Sequence, residues 1–265
     1  MDIIYPKADV PMTKNTREFK VSVLQTSCRN CSLSSLCLPQ DLVGAEIKEL
    51  ESIVSQLPPL NKHGHIYSQG DKFTSLFVVR SGCVKKYQID TEGNEQVIGF
   101  SMPGELLGID AIGIGKYMSS AEALDTTSYC QLKYSKFEEL CERIPGLIKH
   151  ILKMAGQELV AEHDIHKAIS QKSIDERVAV FFTSLSTRLK ILGYSGSEFN
   201  LPMSRHDIAN FLGMQPETFS RSLKKLIQED LIDVNLKHIK IKDQDNLRLL
   251  AGHCEACPTH KVMNG

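Results

Sequence analysis

Three cysteines lie close together near the N-terminus, in the stretch SCRNCSLSSLCLP. Cys28, Cys31 and Cys37 have the spacing C-x2-C-x5-C, and Cys130 lies far later in the chain, in TTSYCQL. Thiolates bind soft metals, and four of them suit either a tetrahedral zinc ion or an iron–sulfur cluster. The spacing differs from that of bacterial ferredoxins, which disfavours an electron-transfer protein. From the spacing alone, zinc and iron–sulfur stay open alternatives.

A second group of residues could bind DNA, in the stretch MSRHDIANFLGMQPETFSRSLKKLIQEDLI. Ser204 is a good N-cap for one short helix, Gly213 permits a tight turn, and Pro216 suits the first turn of the next helix. This predicts a helix-turn-helix whose second helix enters the major groove. The second helix is expected to bury its apolar residues: Phe219, Leu223, Leu226 and Ile227. The polar side chains of that helix are the expected DNA contacts: Glu217, Thr218, Ser220, Arg221 and Lys224. An ordinary helical hairpin with a charged outer face is the alternative.

The charge distribution favours the DNA-binding interpretation. The chain as a whole has a formal net charge of −1. Between Arg177 and Ile227, seven Lys and Arg residues stand against three acidic ones, a local surplus of +4 that leaves −5 for the rest. A basic C-terminal part on an acidic body is typical of a separate anion-binding module, although a solvated basic face would look the same.

Composition limits the remaining classes of protein. The 265 residues are 42% hydrophobic and 24% charged, which is a globular composition. No apolar run reaches the roughly 18–20 residues of a membrane span, and the N-terminus does not resemble a secretory signal peptide. We therefore predict a cytoplasmic protein without a membrane partner. There the eight cysteines stay reduced, so metal binding or redox chemistry is favoured over disulfides.

The element pattern predicts how these residues are positioned. Residues 1–44 read as an N-terminal arm with the cysteine loop. Residues 45–145 begin with a helical pattern and continue as short strands separated by glycine turns, for example SLFVVRSG and CVKKYQI, which predicts an antiparallel barrel or sandwich. Residues 174–252 hold the helix-turn-helix, followed by LIDVNLKHIKIKD, a predicted hairpin that would make the domain winged.

Residues 146–173 between these parts predict one long helix. Its apolar residues recur at alternating steps of four and three, as in a two-helix coiled coil: Leu147, Ile151, Met154, Ala161, Ile165 and Ala168. This predicts a homodimer, with a helix buried inside one protomer as the alternative. Asp164 borders the seam beside Ala161 and Ile165, and in a parallel dimer it would face its own copy. Such like-charge repulsion makes Asp164 a candidate dimer switch; a solvated Asp164 without effect is the alternative.

Four cysteines remain outside the first group. Cys83 is expected in a strand and Cys141 in a helix, both as small buried hydrophobic side chains. Cys254 and Cys257 form a second C-x2-C in the tail of residues 253–265. We expect no dedicated site in this tail, although a metal or redox role is the alternative.

Taken together, these motifs resemble the superfamily of bacterial transcription factors typified by the cyclic-AMP receptor protein. The recognition-helix stretch PETFSR and the cysteine spacing are similar to those of its oxygen-sensing branch, the fumarate and nitrate reduction regulators. The resemblance extends from Cys28 to about Gly252. It implies an α+β fold with an N-terminal antiparallel β-roll of the cyclic-nucleotide-binding type, a long dimerisation helix and a C-terminal winged helix-turn-helix.

The resemblance also implies a function. Cys28, Cys31, Cys37 and Cys130 would bind a [4Fe–4S] cluster that stabilises a homodimer without oxygen. Glu217, Ser220 and Arg221 would read palindromic, TTGAT-like half-sites in double-stranded DNA. The regulator would act with RNA polymerase as an activator, and would not be an enzyme. An acidic residue is similarly placed to Asp164 in this branch.

Three other functions compete with this expectation. The cyclic-nucleotide branch binds its ligand's phosphate with an arginine beside Ser or Thr, after a Gly-Glu-Leu stretch. Gly104-Glu105-Leu106 is present, but Tyr117-Met118-Ser119-Ser120 lacks the arginine. Because a buried phosphate without its cation is costly, we expect no cyclic nucleotide. A zinc or thiol redox sensor is the second alternative. The third, an iron–sulfur enzyme with an accessory DNA-binding domain, lacks a nucleophile–base constellation.

Overall fold

The computed structural model describes residues 27–39 and 42–252. The rest of the predicted N-terminal arm, and the tail that holds Cys254 and Cys257, lie outside the described residues. Within the described residues the chain forms an N-terminal β domain, one long helix and a C-terminal helical domain with a small sheet. The α+β fold predicted from the sequence is confirmed.

The β domain consists of two four-stranded antiparallel sheets, with strand orders β1-β8-β3-β6 and β2-β7-β4-β5. Alternating side chains of both sheets meet in an aromatic interior. The elements of this domain are α1 (Gly44–Ile53), β1 (Val54–Gln56), β2 (His65–Tyr67), β3 (Ser75–Ser81), β4 (Val84–Ile89), β5 (Glu95–Ser101), β6 (Leu106–Leu107), β7 (Ser120–Ala123), β8 (Ser128–Lys133) and α2 (Tyr134–Arg143).

The C-terminal domain packs four helices against a three-stranded sheet of order β10-β11-β9. The predicted hairpin is present as β10 and β11, and β9 adds a third strand that the sequence analysis did not predict. After the long helix α3 (Pro145–Gln171), the elements are α4 (Ile174–Ile191), β9 (Glu198–Asn200), α5 (Arg205–Phe211), α6 (Pro216–Gln228), β10 (Ile232–Asn235), β11 (His238–Ile241) and α7 (Gln244–Ala251).

The long helix is buried on the predicted face, but that face packs inside its own protomer and not against a second copy. Leu147 and Ile151, expected at a dimer seam, are 0% and 8% exposed because they pack against α1 and α2 of the same protomer. For these two positions, the alternative of a core helix is the correct one. Ile165 also packs within the protomer, on the core of the C-terminal domain, whereas Ala161 is exposed and Asp164 is half-buried.

A capping box separates the long helix from the C-terminal domain. The Ser173 backbone N–H donates to Glu176 Oε2 at 2.8 Å, and the Glu176 backbone N–H donates to Ser173 Oγ at 3.5 Å. These bonds satisfy backbone donors that the first turn of α4 leaves unpaired. No helix in the described ranges is long and apolar enough to cross a lipid bilayer.

Candidate metal centre and nucleic-acid interface

Cys130 lies on a strand at the centre of its sheet. Strand β8 is between β1 and β3, and Cys130 is opposite Gln56 on one side and Val78 on the other. Because side chains alternate along a strand, Cys130 points to the same face as Leu132, while Tyr129 points into the aromatic interior. The thiol is therefore on the outer face of the sheet and not inside the roll.

The cysteine loop covers this outer face. Leu33 and Leu38 are 7% and 2% exposed, and Leu38 packs in the same hydrophobic cluster as Val78 and Leu132. The Arg29 backbone N–H donates to Glu51 Oε1 of α1 at 3.2 Å, which ties the start of the loop to that helix. Apolar anchors and one backbone bond thus bring the first three cysteines to the face that carries Cys130.

The four thiols are half-buried and influence one another. Burial, and then the neighbouring Cys130, raise the pKa of Cys28 to about 12. Burial raises the pKa of Cys37 to about 12 and that of Cys130 to about 11. Among the described residues, no group of three or more His, Cys, Asp or Glu is arranged to hold a metal ion. Cysteine thiolates are nevertheless the donor type of zinc and iron–sulfur centres, and the positive charge of a bound centre would favour the thiolate forms of these residues.

Arg80 is a member of this site that the sequence analysis missed. Its guanidinium reaches from β3 to β1, where Nη1 donates to Gln56 Oε1 at 3.0 Å, and so it crosses the strand that carries Cys130. It lowers the pKa of Cys28 and of Cys130, against the larger effect of burial. A cavity of about 390 Å³ next to Cys31 is lined by Asn30, Cys31, Ser32, Arg80, Ser81 and Ser128. The spacing of Arg80, two residues after Val78 on the same predicted strand, is the sequence signal that could have identified it.

The helix-turn-helix has the predicted geometry. Ser204 Oγ accepts from the Asp207 backbone N–H at 3.0 Å, and Gly213 has a φ of +64°, in the left-handed region that glycine adopts without strain. Helix α6 begins at Pro216 and buries Phe219, Leu223 and Leu226. Ile227, which was predicted to be buried, is 38% exposed because it lies beside the apolar stripe near the end of the helix.

The opposite face of α6 presents the predicted DNA contacts. Glu217, Arg221 and Lys224 are exposed, and Thr218 and Ser220 are partly exposed. Arg221 Nη2 donates to Thr218 Oγ1 at 3.3 Å, so the guanidinium is held along the N-terminal half of the helix. Lys225, counted in the basic surplus, pairs instead with Asp175 of α4 at 2.6 Å. The outward face thus carries one acceptor, two hydroxyls and two cations.

Comparison with known proteins agrees with this geometry. The model of the Crp-like helix-turn-helix domain matches residues 176–250, and that of the cyclic nucleotide-binding domain matches residues 59–144. The transcriptional activator protein anr of Pseudomonas aeruginosa is 38% identical over 86% of this chain and 93% of its own. The fumarate and nitrate reduction regulatory protein of Escherichia coli is 35% identical over 92% of this chain and 98% of its own.

A solved structure shows the same fold. FixK2 from Bradyrhizobium japonicum matches with a TM-score of 0.68 and 26% identity, over 75% of this chain and 97% of that chain. A roll of the cyclic-nucleotide-binding type with a Crp-like helix-turn-helix defines a DNA-binding transcriptional regulator, and not an enzyme. Within that class, the chain belongs to the family of the fumarate and nitrate reduction regulators and anr, a branch of the cyclic-AMP receptor protein superfamily.

Proposed function

We propose that this protein is an oxygen-responsive transcriptional regulator of the cytoplasm, which binds DNA as a dimer when Cys28, Cys31, Cys37 and Cys130 hold a [4Fe–4S] cluster. The observation that carries the proposal is the convergence of the cysteine loop and Cys130 on one outer face of the roll. When bound, such a cluster supplies an oxygen-sensitive iron–sulfur centre, which oxygen would destroy. The relatives named fumarate and nitrate reduction regulatory protein support this choice over zinc.

The packing suggests how the cysteine loop acts on the dimer. Leu38 of the loop and Leu147 and Ile151 of the long helix belong to one hydrophobic cluster, and Cys37 packs against it. Well-packed cores transmit displacement because they contain few voids. A loop held in place by four thiolate bonds would therefore brace the N-terminal half of α3, and a released loop would relax it.

The partner expected on α3 is a second copy of this chain. Ile148, Leu152 and Leu159 form an exposed apolar stripe on α3 and are 45%, 66% and 53% exposed. Their steps of four and seven keep them on one face of the helix. The stripe is one residue later in register than the predicted seam, because the predicted face is already used inside the protomer. Burying this stripe against its own copy would provide the driving force for a parallel dimer.

The dimer would read DNA with two copies of α6. Dimeric helix-turn-helix proteins bind half-sites about 34 Å apart, one turn of the double helix. Arg221 suits guanine, Glu217 suits cytosine, and Ser220 is permissive, which fits TTGAT-like half-sites arranged as a palindrome. Lys224 lies one turn further along the helix and suits a phosphate. Transcription then involves contact with RNA polymerase.

The roll would act as a scaffold without a cyclic nucleotide. The rings of Tyr67 and Tyr117 stack at 4.0 Å between centroids, with Phe77 and Tyr129 around them, so side chains fill the interior. Glu105, from the Gly-Glu-Leu stretch, pairs with Arg188 of α4 at 2.6 Å. This glutamate is therefore engaged by the C-terminal domain.

Anaerobic purification followed by spectroscopy tests the proposal. We expect a coloured protein with broad absorption near roughly 400 nm, containing iron and sulfide, that bleaches in air. The same preparation should shift a duplex with two TTGAT-like half-sites before, and not after, exposure to air. A colourless anaerobic protein that contains zinc would contradict the cluster and support the zinc alternative.

Removal of acidic charge from α3 is expected to relieve the need for the cluster. Glu162 is exposed three residues after Leu159, on the stripe itself, so Glu162→Ala should strengthen the dimer by about 1–2 kcal/mol, because like charges across the seam no longer repel. Asp164 borders the seam predicted from the sequence but lies two residues after Glu162, and residues two apart do not share a face of a helix, so Asp164→Ala should have the smaller effect. Sedimentation in air checks both variants, with the substitution Glu142→Ala at an exposed position of α2 as control. Monomers of both, at concentrations where the anaerobic wild type is dimeric, would rule out charge repulsion as the switch.

A further inference from the structure

The first helix of the helix-turn-helix is attached to the edge of the roll by a side chain that acts like a neighbouring strand. Strand β5 is the last strand in its sheet, so one side of its backbone needs partners. Asn210 of α5 supplies them: its Oδ1 accepts from the Val97 backbone N–H at 2.7 Å, and its Nδ2 donates to the Glu95 carbonyl at 2.8 Å. In return, Gln96 Nε2 donates to the Asn210 carbonyl at 3.2 Å.

A buried charge cluster lies beside this contact. The Lys85 side chain on β4 is 8% exposed, and its Nζ lies 2.8 Å from Glu95, 3.5 Å from Glu122 and 3.4 Å from Asp207 of α5. A buried ammonium is costly unless carboxylates compensate it. Here the carboxylates come from both the roll and the C-terminal domain, so separating the two domains would leave Lys85 less well compensated.

The same hairpin contacts the long helix through the next residue. Lys86 follows Lys85 on β4 and points to the opposite face, where its Nζ forms an ion pair with Glu158 of α3. The hairpin formed by β4 and β5 therefore binds the dimerisation helix on one face, and the helix-turn-helix on the other face and along its edge. Its contact with the C-terminal domain is completed by Phe100, whose ring lies 5.3 Å from that of Phe211 between centroids.

We infer that the β4–β5 hairpin positions the recognition helix relative to the dimerisation helix, with Asn210 and Lys85 as the positioning residues for DNA binding. Helix α6 packs on α5 in one core that includes Ala209, Leu212 and Phe219, so its direction follows that of α5. A palindromic site requires two recognition helices in a defined spacing and orientation. The inference rests on DNA binding by the helix-turn-helix and is independent of the cluster.

Loosening this contact should weaken binding mainly where both helices must be aligned. Asn210→Ala removes both edge hydrogen bonds without touching the DNA-binding face of α6. We expect it to reduce affinity roughly tenfold for a duplex with two TTGAT-like half-sites, because the order lost in the free protein must be restored on binding. Affinity for a duplex with a single half-site should fall by much less. Lys85→Met should act in the same direction.

A matched control and a DNA-free readout decide the outcome. Asn246→Ala on α7 removes an exposed asparagine with local bonds to Asp243, far in sequence from the hairpin contact, and should leave both affinities unchanged. Hydrogen exchange of the full-length anaerobic protein should increase in β5 and α5 of Asn210→Ala, and stay at the wild-type level in α1 and α2. Unchanged exchange in β5 and α5 would overturn the inference, as would unchanged or increased affinity for the two-half-site duplex. If the wild type does not bind that duplex, the proposed TTGAT-like DNA site is wrong. The hydrogen-exchange result then still tests whether Asn210 holds α5 against β5.

Discussion

Replacing Cys130 with alanine is expected to abolish stable binding of the iron–sulfur cluster. In the proposed site the substitution would remove one of four thiolate bonds, the one that would connect the cluster to the sheet. Anaerobically purified Cys130→Ala should be colourless, with iron and sulfide near background, and should not bind the palindromic duplex. Cys28→Ala, Cys31→Ala and Cys37→Ala should behave in the same way.

The remaining cysteines provide matched controls for this loss. Cys83 and Cys141 are 2% and 8% exposed and pack in hydrophobic clusters, so their alanine variants should keep normal iron content and lose only some stability. Cys254→Ala and Cys257→Ala should also keep normal iron content. A normally coloured Cys130→Ala beside a colourless Cys254→Ala would assign the fourth ligand to the tail instead.

Arg221→Ala is expected to lose affinity for the specific site and to relax its sequence preference. The Arg221 side chain is exposed on α6, where its one described side-chain bond is to Thr218, and an arginine that contacts guanine contributes about 1–3 kcal/mol of discrimination. Titration of duplexes that vary at each position of the half-site should show relaxed preference at one base pair. Binding to random DNA should change little.

Two lysines on the same helix separate base reading from other effects. Lys224→Ala should weaken binding evenly on all duplexes and reduce the salt slope by about one, as expected for a phosphate contact. Lys225 is paired with Asp175, so Lys225→Ala should affect folding stability more than sequence preference. Lys224→Ala should lose the same affinity on specific and on random DNA, whereas Arg221→Ala should lose more on specific DNA. If Arg221→Ala also loses the same affinity on both, the assignment of α6 as the recognition helix is contradicted.

Local sequence signals sufficed for the helix-turn-helix of the C-terminal domain. Ser204, Gly213 and Pro216 act within one or two helical turns, through capping, a left-handed turn and a preset φ, so their effect can be read without knowing the fold. The apolar spacing that buries Phe219 and Leu223 is equally local. The prediction was wrong at Ile227 because exposure near the end of a helix depends on what packs beside it.

The sequence pattern could not show which face of the long helix packs inside the protomer and which face is left for a partner. A helix such as α3 has apolar residues on two adjacent faces, and periodicity alone does not tell which of them meets its own protomer. The packing of α1 and α2 assigns Leu147 and Ile151 to the protomer core and leaves Ile148 and Leu152 exposed. That choice shifts the expected seam by one residue, and it places Glu162 at the seam in place of Asp164.

The sequence by itself determined the types and spacing of the cysteines, the helix-turn-helix and the order of the parts, because these are properties of neighbouring residues. Only the tertiary structure decided that Cys130 faces the loop and that Arg80 crosses beside it. It also decided that Lys85 and Asn210 join the roll to the DNA-binding domain. These contacts join residues that are far apart in the chain. The residues come close only because the register of the sheets and the packing of the domains bring them together.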